Sequence, residues 1–79
     1  MTVTKKMISD IIGNILDKKI LETDYERSLQ IEFEMDSIKL VEIVIKLEES
    51  FNFEFEDEDL IVENFQNIDS IYNIIIKNI

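Results

Sequence analysis

Apolar side chains recur at helical spacing in three stretches of the chain. They return every three or four positions over residues 4–20, 36–50 and 67–78, which is typical of a helix with one buried face. Each stretch begins with Thr, Asp or Asn, the residue types that cap helix N-termini. A fourth, short helix is predicted near residues 59–64. Gly13 lies inside the first helix, where glycine costs about 1 kcal/mol relative to alanine, so we expect a close contact there.

Two further stretches alternate between apolar and polar residues, as half-buried strands do. Residues 29–35 place four apolar side chains on one face, Ile31 among them, and residues 51–55 place three phenylalanines on one face. A two-stranded ribbon is only marginally stable by itself. Extended connectors whose apolar side chains fill a helix bundle are therefore the preferred interpretation. With no internal repeat or linker, the sequence predicts a single all-α domain over residues 1–79.

The chain is strongly acidic, and the charge is concentrated in its middle. Its 79 residues include 18 acidic and 8 basic side chains, for a net charge of -10. Residues 32–69 hold 13 of the acidic side chains and only two of the basic ones. Such a field disfavours binding to nucleic acids and to anionic membranes, which require Lys and Arg. It favours basic protein partners and speeds their encounter.

The chain contains no His and no Cys. It therefore lacks the usual general base, any thiol nucleophile and the commonest zinc ligands, which disfavours a self-sufficient hydrolase with a catalytic triad. No apolar run approaches the roughly 18 residues of a membrane span. No small-residue cleavage site follows Lys5 and Lys6. We therefore expect a soluble cytoplasmic protein. We also expect it to be a monomer.

The helix predicted over residues 36–50 has two apolar stripes. The inner stripe consists of Leu40, Val44, Leu47 and Phe51, with Ile43 beside it. The outer stripe consists of Ile38, Val41 and Ile45, and the carboxylates near it are Glu42, Glu48 and Glu49. Because so small a domain cannot cover both stripes, the outer one is typical of a partner-docking face. Burial of both stripes between two other helices is the alternative.

Ser37 follows the predicted cap Asp36 in the first turn of this helix. Most serines at such positions are structural. A hydroxyl there is nevertheless exposed, and a phosphate attached to it would meet the positive end of the helix dipole. Asp36 could help hold a magnesium ion while another enzyme brings phosphate to Ser37. The chain itself cannot activate Ser37, because it has no His and Lys39 is at the wrong helical spacing.

A series of motifs surrounds and follows Ser37. The matching segments are Met35-Asp36-Ser37-Ile38, Val41-Glu42-Ile43-Val44, Leu47-Glu48-Glu49-Ser50-Phe51, Asp57-Glu58-Asp59-Leu60, Glu63-Asn64-Phe65 and Ile68-Asp69-Ser70-Ile71. Together they resemble the acyl carrier and peptidyl carrier protein family, whose hallmark is D-S-L opening the second helix and a run ending in E-E-x-F. The resemblance covers about residues 5–78. Its later part looks closer to discrete carriers of polyketide and nonribosomal peptide pathways.

The resemblance implies a four-helix bundle with a long first loop and a short third helix. It implies that a phosphopantetheinyl transferase moves 4'-phosphopantetheine from coenzyme A onto Ser37, using magnesium. The thiol of this arm would carry acyl or aminoacyl groups as thioesters, which accounts for the missing Cys. The implied partners are this transferase and loading and downstream biosynthetic enzymes with basic docking patches. The family's partner-facing residues map onto Asp36, Ile38, Val41, Glu42, Ile45, Glu48 and Glu49.

The chain departs from the family pattern at three positions. Glu34 replaces a Gly that usually stands two residues before the motif Asp. If that position requires a positive φ, then Glu34 is strained or the loop differs. Lys39 replaces an acidic residue common in fatty-acid carriers, which disfavours fatty-acid synthase enzymes as partners. Glu56 replaces a frequent Pro.

Other interpretations remain open beside the resemblance. The alternative function is an unmodified acidic helical adaptor that binds a basic partner through the helix starting at Ser37. A calcium loop at residues 57–59 is disfavoured, because the central Gly and the terminal Glu are absent at the required spacing. The aromatic side chains are most simply core residues, and a hydrophobic cargo cavity among them is the alternative.

Overall fold

The computed structural model describes residues 2–79, and in that range it contains only helical elements and loops. The α-helices are α1 (Lys5–Leu16), α2 (Leu29–Glu32), α3 (Ser37–Phe51) and α4 (Ile68–Lys77). The 3-10 turns are Glu22–Asp24, Asp57–Asp59 and Val62–Phe65. The predicted all-α fold is confirmed, with a long first loop that contains α2. None of the helices in the described range is both long and apolar enough to cross a bilayer.

Side-chain caps start the three long helices at the predicted residues. In each, a side-chain oxygen accepts a hydrogen bond from the N–H of the third residue after it. The donor–acceptor distances are 3.2, 2.8 and 2.7 Å for Thr4, Asp36 and Asn67. Such a cap satisfies one of the four N–H groups that a helix start leaves without an internal acceptor.

The core lies between α1, α3 and α4, in a domain that measures 27 × 24 × 18 Å. The buried apolar side chains of these helices are Ile8, Ile12, Leu16, Ile43, Leu47, Phe51, Ile68, Ile71 and Ile75. The inner stripe predicted for α3 is confirmed, with Leu40 and Val44 partly buried against this cluster. Three α-helical faces thus supply most of the buried surface.

Neither alternating stretch forms a strand. The second continues from the end of α3 as an extended connector, as preferred, whereas the first begins with the short helix α2 and is not an extended connector throughout. Phe55 lies in the extended segment after α3, and its ring packs edge-to-face against Phe53 and Phe65 at centroid distances of 4.7 and 5.4 Å. The predicted common face of residues 29–35 is wrong at Ile31, which is 82% exposed. The reason is that α2 is helical, so burial follows a spacing of four, from Leu29 to Phe33.

Helix α1 ends four residues before the predicted Ile20. Asp17 adopts the left-handed conformation with φ 56°, and the N–H of Lys18 donates to the carbonyl of Gly13 at 3.0 Å. This reversal brings the Lys18 carbonyl oxygen to 2.7 Å from where a Cβ on Gly13 would lie. The expected close contact at Gly13 is confirmed, and it is with backbone rather than with a side chain.

We expect Gly13→Ala to destabilise the fold, although alanine is the better helix former. The steric cost of about 1–3 kcal/mol exceeds the propensity gain of about 1 kcal/mol, so the free energy of unfolding should fall by up to about 2 kcal/mol. Urea denaturation measures it. The control is Asn14→Ala at the exposed neighbouring position, which should gain about 0.5 kcal/mol. A comparable gain in Gly13→Ala would contradict the contact.

The short helix predicted near residues 59–64 is present as two 3-10 helices rather than as one α-helix. The cause is Asp59, whose side chain is only 3% exposed. Its carboxylate accepts hydrogen bonds from Lys77 Nζ at 2.8 Å and Asn78 Nδ2 at 3.0 Å, at the end of α4. Its carbonyl oxygen accepts one from Asn64 Nδ2 at 3.0 Å. Asp59 therefore fastens this segment to α4, which interrupts a continuous helix.

We expect Asp59→Asn to lower the free energy of unfolding at neutral pH and to make that free energy less dependent on pH in the acid range. The hydrogen bonds from Lys77 and Asn78 lower the pKa of Asp59 below 3.8. A carboxyl with a lowered folded-state pKa stabilises the fold above the unfolded-state value, and this stabilisation is lost as the pH falls through the folded-state pKa. The unfolding curves of wild type and variant should therefore converge below pH 3.8.

The matched control for this experiment is Asp57→Asn, an exposed carboxyl of the same turn. It should change stability by less than about 0.5 kcal/mol at neutral pH. Equal losses in the two variants, or a gap between wild type and Asp59→Asn that persists in acid, would contradict the proposed fastening. Chemical denaturation across the acid range gives both results.

Candidate functional site

Ser37 is the first residue of α3 and is exposed. Asp36 precedes it in extended conformation, and its Oδ1 accepts the N–H of Lys39 at 2.8 Å. This cap leaves the N–H groups of Ser37 and Ile38 without an intrahelical acceptor. The hydroxyl therefore stands beside free N–H donors at the positive end of a 15-residue helix. An attached phosphate would fit this environment, because helix N-termini bind anions.

The segment before Ser37 is fixed in the core. The carbonyl oxygen of Leu29 accepts hydrogen bonds from the N–H groups of Phe33 and Met35, both at 3.1 Å. Met35 is 4% exposed and Phe33 is 9% exposed. Because Met35 is anchored only two residues before Ser37, the position of the hydroxyl is set by core packing rather than by a loose loop.

Glu34 adopts a positive φ of 58°, the conformation in which the resemblance would place a Gly. A residue with a Cβ is strained there, since its side chain approaches the following carbonyl oxygen. Its carboxylate is exposed and lies 3.7 Å from Lys18 Nζ. The predicted strain at Glu34 is confirmed, and the loop keeps its turn in spite of the missing Gly.

The outer stripe of α3 is uncovered. Ile38, Val41 and Ile45 are 71%, 58% and 52% exposed. Their exposure rules out the alternative in which α3 lies between two other helices with both stripes buried. Isolated exposed apolar residues are common on proteins, but three at helical spacing on one face form a contiguous patch.

The three carboxylates near this stripe have different environments. Glu42 and Glu49 are exposed. Glu48 is half-buried, and its Oε2 accepts the N–H of Phe55 at 2.9 Å. The N–H of Phe53 donates to the carbonyl oxygen of Glu48 at 3.2 Å. Glu48 therefore holds the segment after α3, a structural role that the helical spacing alone could not reveal.

The surroundings of the Ser37 hydroxyl lack the usual activating groups within the described residues. The sequence has no His and no Cys. The cation nearest in sequence is Lys39, two residues along the helix and so on a different face. Among residues 2–79 no hydrogen bond to the hydroxyl is formed. The described residues thus offer no built-in base in contact with this hydroxyl.

Comparison with known proteins agrees with this geometry. The family model for the phosphopantetheine attachment site matches residues 6–75. The acyl carrier protein of Buchnera aphidicola subsp. Baizongia pistaciae (strain Bp) is 36% identical over 73 residues, covering 92% of this chain and 86% of that protein. The acyl carrier protein of Syntrophobacter fumaroxidans (strain DSM 10017 / MPOB) is 37% identical over 73 residues, covering 90% and 85%. No solved structure matches.

The chain belongs to the acyl carrier protein family. It is a carrier protein, and its prosthetic group is covalently attached 4'-phosphopantetheine. Carriers of this family are in general non-catalytic, and they work with a phosphopantetheinyl transferase and with biosynthetic enzymes. When bound, the group supplies the thiol that the chain itself lacks.

We expect Glu34→Gly to stabilise this carrier by up to about 1 kcal/mol. Glycine relieves a left-handed strain of about 1–2 kcal/mol and gives back part of it by loosening the unfolded chain. The control is Glu34→Ala, which removes the same charge but keeps a Cβ. It should show no such gain. If both variants gain equally by thermal or urea unfolding, the benefit comes from removing charge and not from relieving strain.

Proposed function

We infer that Ser37 is the attachment point of the phosphopantetheine arm and that this protein delivers acyl or aminoacyl thioesters to biosynthetic enzymes. The observation that carries this proposal is the exposed Ser37 hydroxyl on a rigidly anchored helix start, next to the cap Asp36. Helix α3 then presents an uncovered apolar stripe directly beyond the hydroxyl. A partner bound to this stripe would have the arm within its reach.

The attachment step requires a separate transferase. A bond forms between Ser37 Oγ and the phosphorus next to the pantetheine of coenzyme A, and the bond from that phosphorus to the rest of the pyrophosphate breaks. The nucleotide leaves with the electron pair, and the hydroxyl proton passes to a base of the transferase. Asp36 uses Oδ1 for its cap, so Oδ2 is available to a magnesium ion that neutralises the pyrophosphate.

The partner face extends from Ile38 along α3. Its apolar centre is formed by Ile38, Val41 and Ile45, and Glu42 and Glu49 supply exposed charge beside it. Glu48 contributes less to docking than the resemblance implies, because Phe55 already occupies one of its carboxylate oxygens. Basic patches on the transferase and on the loading enzymes complement such a face.

The pathway proposed for this carrier is of polyketide or nonribosomal peptide type. Support comes from Lys39, which stands where fatty-acid carriers commonly have an acidic residue, and from the later motifs, which look closer to discrete carriers. A fatty-acid type remains the second candidate, since both similar relatives are acyl carrier proteins.

We expect the protein to gain the mass of one phosphopantetheine when incubated with coenzyme A, magnesium and a broad-specificity phosphopantetheinyl transferase. Intact-protein mass spectrometry measures the gain. Ser37→Ala should gain nothing, because the accepting oxygen is gone. The matched control is Ser50→Ala, near the other end of α3, which should be modified like the wild type. Modification of Ser37→Ala would place the arm elsewhere.

An unmodified adaptor is the alternative function, and it rests on the same uncovered stripe of α3. The mass experiment distinguishes the two. If neither the wild type nor Ser50→Ala gains mass while both remain folded, the acidic helical adaptor replaces the carrier as the better description of this chain.

A further inference from the structure

The outward side of α3 carries three parallel rows of side chains, each made of two residues seven positions apart. The rows are Ile38 with Ile45, Glu42 with Glu49, and Lys39 with Lys46. Seven residues make two turns with a drift of about 20°, so the members of a row are nearly in line. Going around the helix, the order is apolar, acidic and then basic, because each carboxylate follows an isoleucine by four positions and a lysine by three.

Three of the four charged residues in these rows, Glu42, Lys46 and Glu49, are exposed, and Lys39 is half-buried. Six ion pairs occur among residues 2–79, and their cations are Lys5, Lys6, Lys18, Arg27 and Lys77. Lys39 and Lys46 take part in none of them. Glu42 could reach Lys46 one turn on, but an exposed pair of this kind contributes little and is readily exchanged.

The spacing of the rows matches a helix better than a strand. Members of a row are about 10.5 Å apart along the axis, which equals two turns of a second helix packed alongside. Same-face residues of a strand recur at about 6.8 or 13.6 Å, and neither value fits. An apolar seam with a period of seven is also the pattern through which two helices pack side by side.

We propose that α3 docks one helix of the partner enzyme, and that this helix repeats the three rows in complementary form. Its apolar seam faces Ile38 and Ile45, a basic row faces Glu42 and Glu49, and an acidic row faces Lys39 and Lys46. The inference rests on the proposed function only in taking the partner to be an enzyme that serves the carrier. The lysine row gives specificity, because a uniformly basic helix would meet like charge there.

Two synthetic peptides, held helical by lactam bridges, test the proposal on the unmodified full chain. They share one apolar seam. The striped peptide has an Arg row followed by a Glu row, and the basic peptide has Arg in both rows. Fluorescence anisotropy at low ionic strength gives the ratio of their affinities, and backbone NMR shifts identify the contacted face. We expect the wild type to prefer the striped peptide, with shifts confined to α3.

Lys46→Glu should shift this ratio toward the basic peptide by about 1.5- to 5-fold, the range for one exposed charge pair. The control is Lys19→Glu, an exposed lysine outside α3 with the same change of charge, which should leave the ratio unchanged. Equal shifts in both variants, a wild-type preference for the basic peptide, or failure of both peptides to bind would overturn the proposal.

This outcome is separable from that of the proposed function. If the protein gains phosphopantetheine but Lys46→Glu does not change the ratio of peptide affinities, the carrier function stands and the docking proposal fails. If Lys46→Glu changes the ratio of peptide affinities as expected but the protein gains no mass, the docking face belongs to the adaptor alternative.

Discussion

The carbonyl oxygen of Leu29 accepts hydrogen bonds from the N–H groups of Phe33 and Met35, and these bonds fix the route by which the chain enters α3. Met35 is then buried, and Asp36 caps the helix at the surface. Two residues after a core side chain, Ser37 therefore has a hydroxyl that is both exposed and held in place. This combination suits the arm that we propose for Ser37, because a mobile attachment point would raise the entropic cost of each delivery.

The long first loop explains why one side of α3 stays uncovered. The loop is hydrogen-bonded to the start of α4 and to the segment just before it. Leu29 N–H donates to the Gln66 carbonyl at 2.8 Å, and Asp69 N–H donates to the Tyr25 carbonyl at 3.2 Å. Lys5 adds an ion pair to Asp69 at 2.9 Å. Because the loop is held against the α4 side of the domain, it does not cover Val41 or its neighbours, and the outer stripe remains exposed.

Much of this arrangement could be predicted from the sequence, because helix starts and helix faces are local properties. The caps at Thr4 and Asn67 and the two stripes of α3 required only residue type and spacing. The strain at Glu34 could be anticipated because a usual Gly was missing.

What could not be predicted depended on contacts distant in sequence. In the sequence Asp59 is indistinguishable from the acidic residues around it. Its role becomes visible only when the fold brings Lys77 and Asn78 to its carboxylate. The helical spacing of Glu48 groups it with the surface carboxylates of α3. Only the path of the chain to Phe55, whose N–H donates to Glu48, reveals its structural role. Period-two patterning at residues 29–35 was ambiguous because a single helical turn buries two of the same positions.

The acidic residues of the chain repel one another, and this repulsion lowers the stability of the fold. The pKa of Glu56 is raised because its carboxyl hydrogen-bonds with that of Glu58 and is repelled by its charge. A raised carboxyl pKa means that the ionised form destabilises the fold at neutral pH. Lys77 relieves part of this repulsion beside Asp59, whereas no cation among residues 2–79 forms an ion pair with Glu42 or Glu49. Asp59, which fastens the 3-10 segment to α4, is thus paired with a cation, whereas the exposed Glu42 and Glu49 of α3 keep their charge for the partner proposed above.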